Sequence, residues 1–395
     1  MHLSHAAQLT IRSVAADRVT DRDVRAWVAL EARALEPNAY LSPHFVRAAA
    51  RHLTPARPPV VFFVERRSAG DRELMGVAVM VAAGPSLRFP ARRLVGYRTP
   101  YSPVGGVLLD RECPAAALEA LLAHVRGSLS RCSAIELPLI WADGPMVAMG
   151  RAMARGFGFE SGIAESAPRA ILVPATAQAQ LQSKAMAHRL RDLARRSRRL
   201  QERGAVAWRC HWDTGVPGKV VDAFLALEHM GWKGVGGSSL RSSARHEAFF
   251  RETVAGFAAE RRVMFTELTL DGVPIAAACN FISGRLGFAF KIGWNPELRA
   301  YSPGWLNEVE FMRNAAALLG DIDLIDSGAT ADSYINELWL ERRALTTLSI
   351  PLRFAGRLAM SGITSVRLLK RSLAGVAARM FSSPARRRQV LASAR

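Results

Sequence analysis

Apolar and polar positions along the chain switch repeatedly between a period of two and a period of about 3.6, and this alternation predicts a mixed α/β protein. LTIRSV (9–14) reads as a strand and DRDVRAWVALEARAL (21–35) and VRAAARHL (46–53) as helices. PPVVFFVERR (58–67) and ELMGVAVMVAAG (73–84) read as two strands joined by a polar turn. Then come a strand over 92–99, the helix PAAALEALLAHVRGSL (114–129), the strand SAIELPLI (133–140) and a helix over 146–161 that runs into a turn. RAILVP (169–174) closes this half.

The second half repeats the order. A basic helix over 178–203 leads to the strand AVAWRCHW (205–212) and to helices over 220–230 and 243–260. VMFTELTL (263–270) and VPIAAACNFI (273–282) are strands joined by Asp271-Gly272, a pair suited to a type I′ turn because both residues tolerate positive φ. The strand RLGFAFKIGW (285–294), a helix over 303–319, the strand DIDLIDS (321–327), a helix over SYINELWLERR (333–343) and the strand ALTTLSI (344–350) complete it. The recurrence predicts two tandem units, 1–175 and 176–350, with a tail over 351–395. Tyr101-Ser102-Pro103 and Tyr301-Ser302-Pro303 fall at matching points, but only the second enters a helix at once, so the second unit is the better candidate for a site.

At 395 residues the chain exceeds what one core usually serves, and 50% hydrophobic with 22% charged residues is globular composition. Four dispersed cysteines form no C-x-x-C pair, which argues against a zinc knuckle or a disulfide framework and fits a reducing compartment. The histidines show no metal spacing, so no metal is expected. The N-terminal residues lack a signal-peptide pattern and the longest apolar run, LMGVAVMVAA, is about half a membrane span, so a cytoplasmic protein is expected. The net charge of +19 is concentrated: residues 351–395 hold ten Lys or Arg and no acid, and 178–203 hold eight basic and two acidic side chains. Nucleic acid, an anionic membrane surface and an acidic small ligand all remain open.

The start of the helix at 303 is the sharpest local feature. Ser302 is a favoured N-cap and Pro303 at N1 gives up no hydrogen bond. Gly304 and Trp305 would then hold free N–H groups, with Leu306 next, and such a helix start suits an anion. Arg299 stands near enough to add a charged contact.

RRSRRLQERG (195–204), LEHMGWKG (227–234), the hairpin with its DG turn followed by IAAACNF, FKIGWNPELRAYSPGWL (290–306) and IDLIDSG (322–328) together resemble the GNAT-like acyltransferases of the cellulose-biosynthesis (CelD/BcsL) type, related to the Fem-type transferases. The resemblance covers about 180–350. It implies two GNAT-like domains, the first degenerate, and an acyl-CoA donor whose pantetheine arm enters between splayed strands at 286–294 and 321–327. It also implies that the helix from Ser302 holds the pyrophosphate, with Lys291 and Ile292 beside the thioester. Glu267, Asp326 and Glu228 are then the candidate bases, and Tyr334 the candidate acid for the leaving thiolate. Each of the four has an ordinary structural role open to it. The family often carries a Tyr-Lys pair after the Asp-x-Gly strand, where here Tyr334 is followed by Ile335 and Asn336.

The function implied is acyl transfer to an amine or hydroxyl acceptor, in polysaccharide or cell-envelope synthesis. Two alternatives stay open: a Fem-like transferase using aminoacyl-tRNA, for which the basic helix lacks interleaved aromatics, and a non-catalytic scaffold of a polysaccharide-assembly system. In the tail, Ala359, Ile363, Val366, Leu369 and Leu373 recur at helical spacing among Arg367, Lys370 and Arg371, which predicts a basic amphipathic helix able to lie on an anionic membrane.

Overall fold

The structure, a computed structural model, describes residues 9–68, 71–87, 89–212 and 216–360. Its strands are β1 (Leu9–Ala15), β2 (Val60–Ser68), β3 (Asp71–Ala83), β4 (Arg93–Gly96), β5 (Leu108–Leu109), β6 (Ala134–Trp141), β7 (Gly162–Glu165) and β8 (Arg169–Leu172), then β9 (Val206–His211), β10 (Val263–Leu270), β11 (Val273–Ser283), β12 (Leu286–Trp294), β13 (Leu324–Asp326), β14 (Glu341–Arg343) and β15 (Leu345–Pro351). The helices are α1 (Asp21–Ala32), α2 (Pro43–His52), α3 (Pro114–Ser128), α4 (Pro145–Gly156), α5 (Pro174–Leu181), α6 (Lys184–Gln201), α7 (Gly218–His229), α8 (Trp232–Val235), α9 (Ala244–Ala259) and α10 (Pro303–Leu318).

Two sheets result, and they have the same plan. The first runs β1-β2-β3-β4-β6-β15-β7, with β5 paired to β3, and the second, read from its other edge, runs β9-β10-β11-β12-β13-β8-β14. In each, the fourth and fifth strands, β4 with β6 and β12 with β13, are parallel and every other neighbour is antiparallel. The sixth position is exchanged between the units. β8, from the end of the first half, lies in the second sheet, and β15, from the end of the second half, lies in the first. The boundary expected at 175/176 therefore follows a strand that already belongs to the other unit.

Three sequence expectations differ from what is observed. The stretch expected as a helix over 333–343 is a 3-10 turn at Tyr334–Glu337 followed by β14, because Glu341–Arg343 complete the edge of the second sheet against β8. The basic helix breaks into α5 and α6 at Gln182–Ser183. The strand expected over 321–327 is reduced to β13. The Asp271-Gly272 turn takes positive φ at both residues, 50° and 78°.

Between the units lies a shared apolar core. Phe45 of α2 meets Phe249 of α9 with ring centroids 5.2 Å apart, Tyr40 meets Phe288 at 5.4 Å, and Tyr101 stacks on Phe249 at 5.4 Å. The cluster extends from Trp27, Phe63 and Val79 of the first unit to Phe224, Phe265 and Phe281 of the second. Pairs of this kind add about 0.5–1.5 kcal/mol each beyond their area burial. Residues 354–360 form a short helix whose Ala359 packs on Phe89 and Ala134. The rest of the expected amphipathic tail, from 361 on, lies outside the described residues. No helix among the described residues is long and apolar enough to cross a membrane.

Candidate active site

β12 is paired to β11 along its whole length but to β13 only over Leu286–Phe288. Opposite Cys279 stands Lys291 and opposite Asn280 stands Ala289, so Phe290 is an extra residue, a bulge that bends the strand where its parallel partner ends. Gly328 still lies against Ala289, where a Cβ on it would stand 2.9 Å from the Ala289 oxygen, and residues 290–294 beyond it have no strand partner on that side and form one edge of a gap. In the first sheet the corresponding gap is filled by the chain itself. The loop after β4 lays Gly105 against β6, its N–H donating to the Leu139 carbonyl at 3.0 Å, and a Cβ on Gly105 would stand 2.2 Å from the Pro138 oxygen.

The two faces of β12 carry different chemistry because side chains alternate along a strand. Toward α7 point Lys291 and Gly293. A Cβ on Gly293 would lie 2.4 Å from the Glu228 nitrogen, so glycine lets the end of α7 close onto the strand. Glu228 is fully buried there. Its Oε2 accepts the Leu240 N–H at 2.8 Å and its Oε1 accepts Lys291 Nζ at 2.9 Å. Lys233 Nζ donates to the Ile292 carbonyl at 2.5 Å and stands 3.8 Å from Glu228 Oε1. Burial pushes the Lys233 ammonium down to about 8, against the opposing pull of Glu228 and aided by Lys291.

Lys291 also faces the ring of Tyr101, 5.4 Å from Nζ to the centroid. That tyrosine comes from the first unit, on the same loop that fills the first gap, and its hydroxyl meets His246 Nδ1 at 3.0 Å. Burial and the nearby Glu228 raise the Tyr101 phenol to about 12. Leu227, Met230, Lys233, Ile292, Gly293 and Trp294 line a cleft at this place.

Toward α10 point Ile292 and Trp294, and a Cβ on Gly304 would meet them at 3.6 and 3.4 Å. The helix start differs from the expectation. Ser302 is left-handed, with φ and ψ both 54°, and its hydroxyl does not cap the helix but accepts from Arg196 at 2.8 Å. The Trp305 and Leu306 N–H groups both donate to the Ser302 carbonyl, at 3.0 and 3.1 Å, so of the three expected donors only Gly304 N–H lacks a hydrogen bond among the described residues. Arg299 is exposed on the preceding 3-10 turn.

Basic α6 lies along this helix start. Arg189 stands over the Trp305 ring at 4.8 Å, and Arg199, with Arg203 just past the end of α6, over the Tyr301 ring at 5.9 and 5.8 Å. Tyr334 packs on Trp305 with centroids 5.3 Å apart, and burial with the neighbouring Glu308 raises its phenol well above the ordinary value.

The other two candidate carboxylates are held elsewhere. Glu267 on β10 pairs with His211 Nε2 at 2.6 Å, two strands from β12. Asp326 is fully buried at the end of β13, pairs with Arg169 at 3.1 Å and accepts the Gly328 N–H at 2.8 Å; burial raises it despite Arg169. Of the three, Glu228 is the one brought to the open segment of β12, with Lys291 and Ile292. Lys233, Tyr101 and His246 join it, none of them a site candidate from the sequence.

An antiparallel sheet interrupted by one parallel pair, β12 with β13, that parts at a bulge is a GNAT-like fold. Residues 187–334 match the acetyltransferase (GNAT) domain family. Among solved structures, FemX superposes with a TM-score of 0.55 at 11% identity, over 86% of this chain and 97% of that one. The C-terminal domain (DUF2156) of a putative lysylphosphatidylglycerol synthetase from Agrobacterium fabrum gives 0.53 at 11% identity, over 87% and 95%. A conserved protein of unknown function from Bacteroides thetaiotaomicron VPI-5482 gives 0.54 at 10% identity, over 88% and 100%. No curated protein matches the chain.

Proposed function

We propose that the protein transfers an acyl group from acyl-CoA to an amine or hydroxyl acceptor in the gap beside β12, within polysaccharide or other cell-envelope synthesis. The observation that carries this reading is the segment 290–294, unpaired on its β13 side and flanked by the start of α10 on one face and by Glu228, Lys291 and Lys233 on the other. The thioester lies along the open strand edge, with its phosphates toward Gly304, Arg196 and Arg299. Attack on its carbonyl builds negative charge next to two part-buried ammonium groups, Lys291 and Lys233, placed to offset it. Glu228 is the carboxylate placed to take the acceptor's proton. The resemblance of its motifs to the cellulose-biosynthesis acyltransferases supports an envelope acceptor.

Calorimetric titration of acetyl-CoA and longer acyl-CoAs into wild type and Gly304→Asp tests the donor site. Gly304→Ala serves as control, since its Cβ meets only side chains at ordinary contact distance. Binding should disappear in the Asp variant and persist in the Ala variant. Unchanged affinity in a Gly304→Asp protein with an intact melting temperature moves the donor elsewhere and removes the reading.

A second reading is favoured by one contact set. The aromatics that α6 lacks in sequence are supplied by Tyr301 and Trp305 beneath its arginines, a surface suited to a donor carried on nucleic acid. Titration of aminoacyl-tRNA at several salt concentrations separates it from the first, because phosphate contacts weaken steeply with salt.

A further inference from the structure

Lys233 is left with a surplus of charge. Lys233 lines the cleft beside β12, and behind it two ammonium groups, Lys233 and Lys291, stand against one carboxylate, Glu228. Both Glu228 oxygens are already used, one by the Leu240 N–H and the other by Lys291 at 2.9 Å. Lys233, at 3.8 Å, stands beyond hydrogen-bond reach of that carboxylate. Its Nζ carries three donors, and among the described residues one meets the Ile292 carbonyl and no other partner is within reach. The remaining titratable groups around it do not balance the charge: Tyr101, from the first unit, is a protonated phenol, and His229 of α7 is engaged with Ser239 at 2.7 Å. A part-buried cation, 22% exposed, with unused donors lining an open cleft is the complement of an oxyanion.

We infer that this cleft binds an anionic group, a carboxylate or a phosphate, carried by the acceptor next to its nucleophilic amine or hydroxyl, with Lys233 as counter-ion. The inference rests on the acyl-transfer reading for the word acceptor, but the anion site itself stands on the cleft alone. The cleft opens on the α7 face of β12, whereas the start of α10 lies on the opposite face, so donor phosphates and this anion occupy different sides of the strand. An anion beside Lys233 restores the charged form that burial disfavours, so binding a little above pH 8 takes up protons.

Inorganic phosphate and acetate, titrated at constant ionic strength into the full chain, are the probes. Saturable phosphate binding is expected, weakened roughly tenfold or more in Lys233→Met and restored in Lys233→Arg, as for loss of one charged hydrogen bond. Calorimetry in two buffers of different ionisation heat should show proton uptake by wild type and none by Lys233→Met. If Lys233→Met does not fold, the uptake in wild type and the Lys233→Gln variant carry the test. Unsaturable binding, or equal affinity in Lys233→Met, overturns the site. The phosphate titration is then repeated with saturating acetyl-CoA. Unchanged affinity places the anion with the acceptor, and displacement places it with the donor and overturns the inference. If acetyl-CoA fails to bind at all, the donor reading falls while the phosphate arm still decides the anion site.

Discussion

Glu308 sits on the buried side of α10 and accepts the Trp339 indole N–H at 3.0 Å. Burial pushes its carboxyl up to about 7, and burial does the same to Glu36. Between the ordinary carboxylate range and about 7, the folded protein holds a proton that the unfolded chain has released, so stability falls as pH rises through this window. Urea unfolding of wild type should therefore give a lower midpoint at about pH 8 than at about pH 5, and Glu308→Gln, which keeps an acceptor for Trp339, should reduce that difference. Identical pH slopes in the two proteins would sink the argument. At this scale the sequence was legible where a residue announces its own backbone, as with the positive φ of Asp271 and Gly272. Lys233 and Tyr101 were not, because nothing in their local sequence says which distant strand they meet. Tyr101 was noticed only as half of a repeat, and its contact with Lys291 spans two units.

The exchanged strands set the behaviour of the elements. β15 buries Leu345, Leu348 and Ile350 between β6 and β7, and β8 buries Ala170, Ile171 and Leu172 between β13 and β14. A fragment 1–175 lacks the strand that joins β6 to β7 and leaves both edges open, while a fragment 176–350 lacks the strand that joins β13 to β14. Each fragment expressed alone should be poorly folded by near-ultraviolet circular dichroism, and co-expression should recover a soluble complex. A cooperative, monomeric 1–175 would show that the exchange is dispensable. Periodicity found most helices and central strands, since these bury one face over many residues. It failed over 333–343, where Ile335, Leu338 and Trp339 recur at helical spacing while an edge strand is required just beyond them.

For the whole molecule, the aromatic core joining α2, α9 and the YSP loop makes the two units one cooperative body. Scanning calorimetry should show a single transition, with calorimetric and van't Hoff enthalpies in agreement. Two resolved transitions would mean that the shared core is weaker than the cores within the sheets. The duplication was readable in the chain because both halves repeat one order of elements. The exchange was not, since β8 and β15 each adjoin in sequence the strand they would pair with in an unswapped hairpin, and only tertiary packing chooses between the two sheets.

The exchange also bears on how the protein is made. The first sheet cannot close until residues 345–351 have left the ribosome, although its other strands are complete by Glu165. At about 5–20 residues per second the nascent first half waits roughly ten to forty seconds with a β6–β7 opening unfilled. A chain of this design closes its first sheet only late in synthesis, and its demand for chaperones should rise when elongation is slowed within the second half.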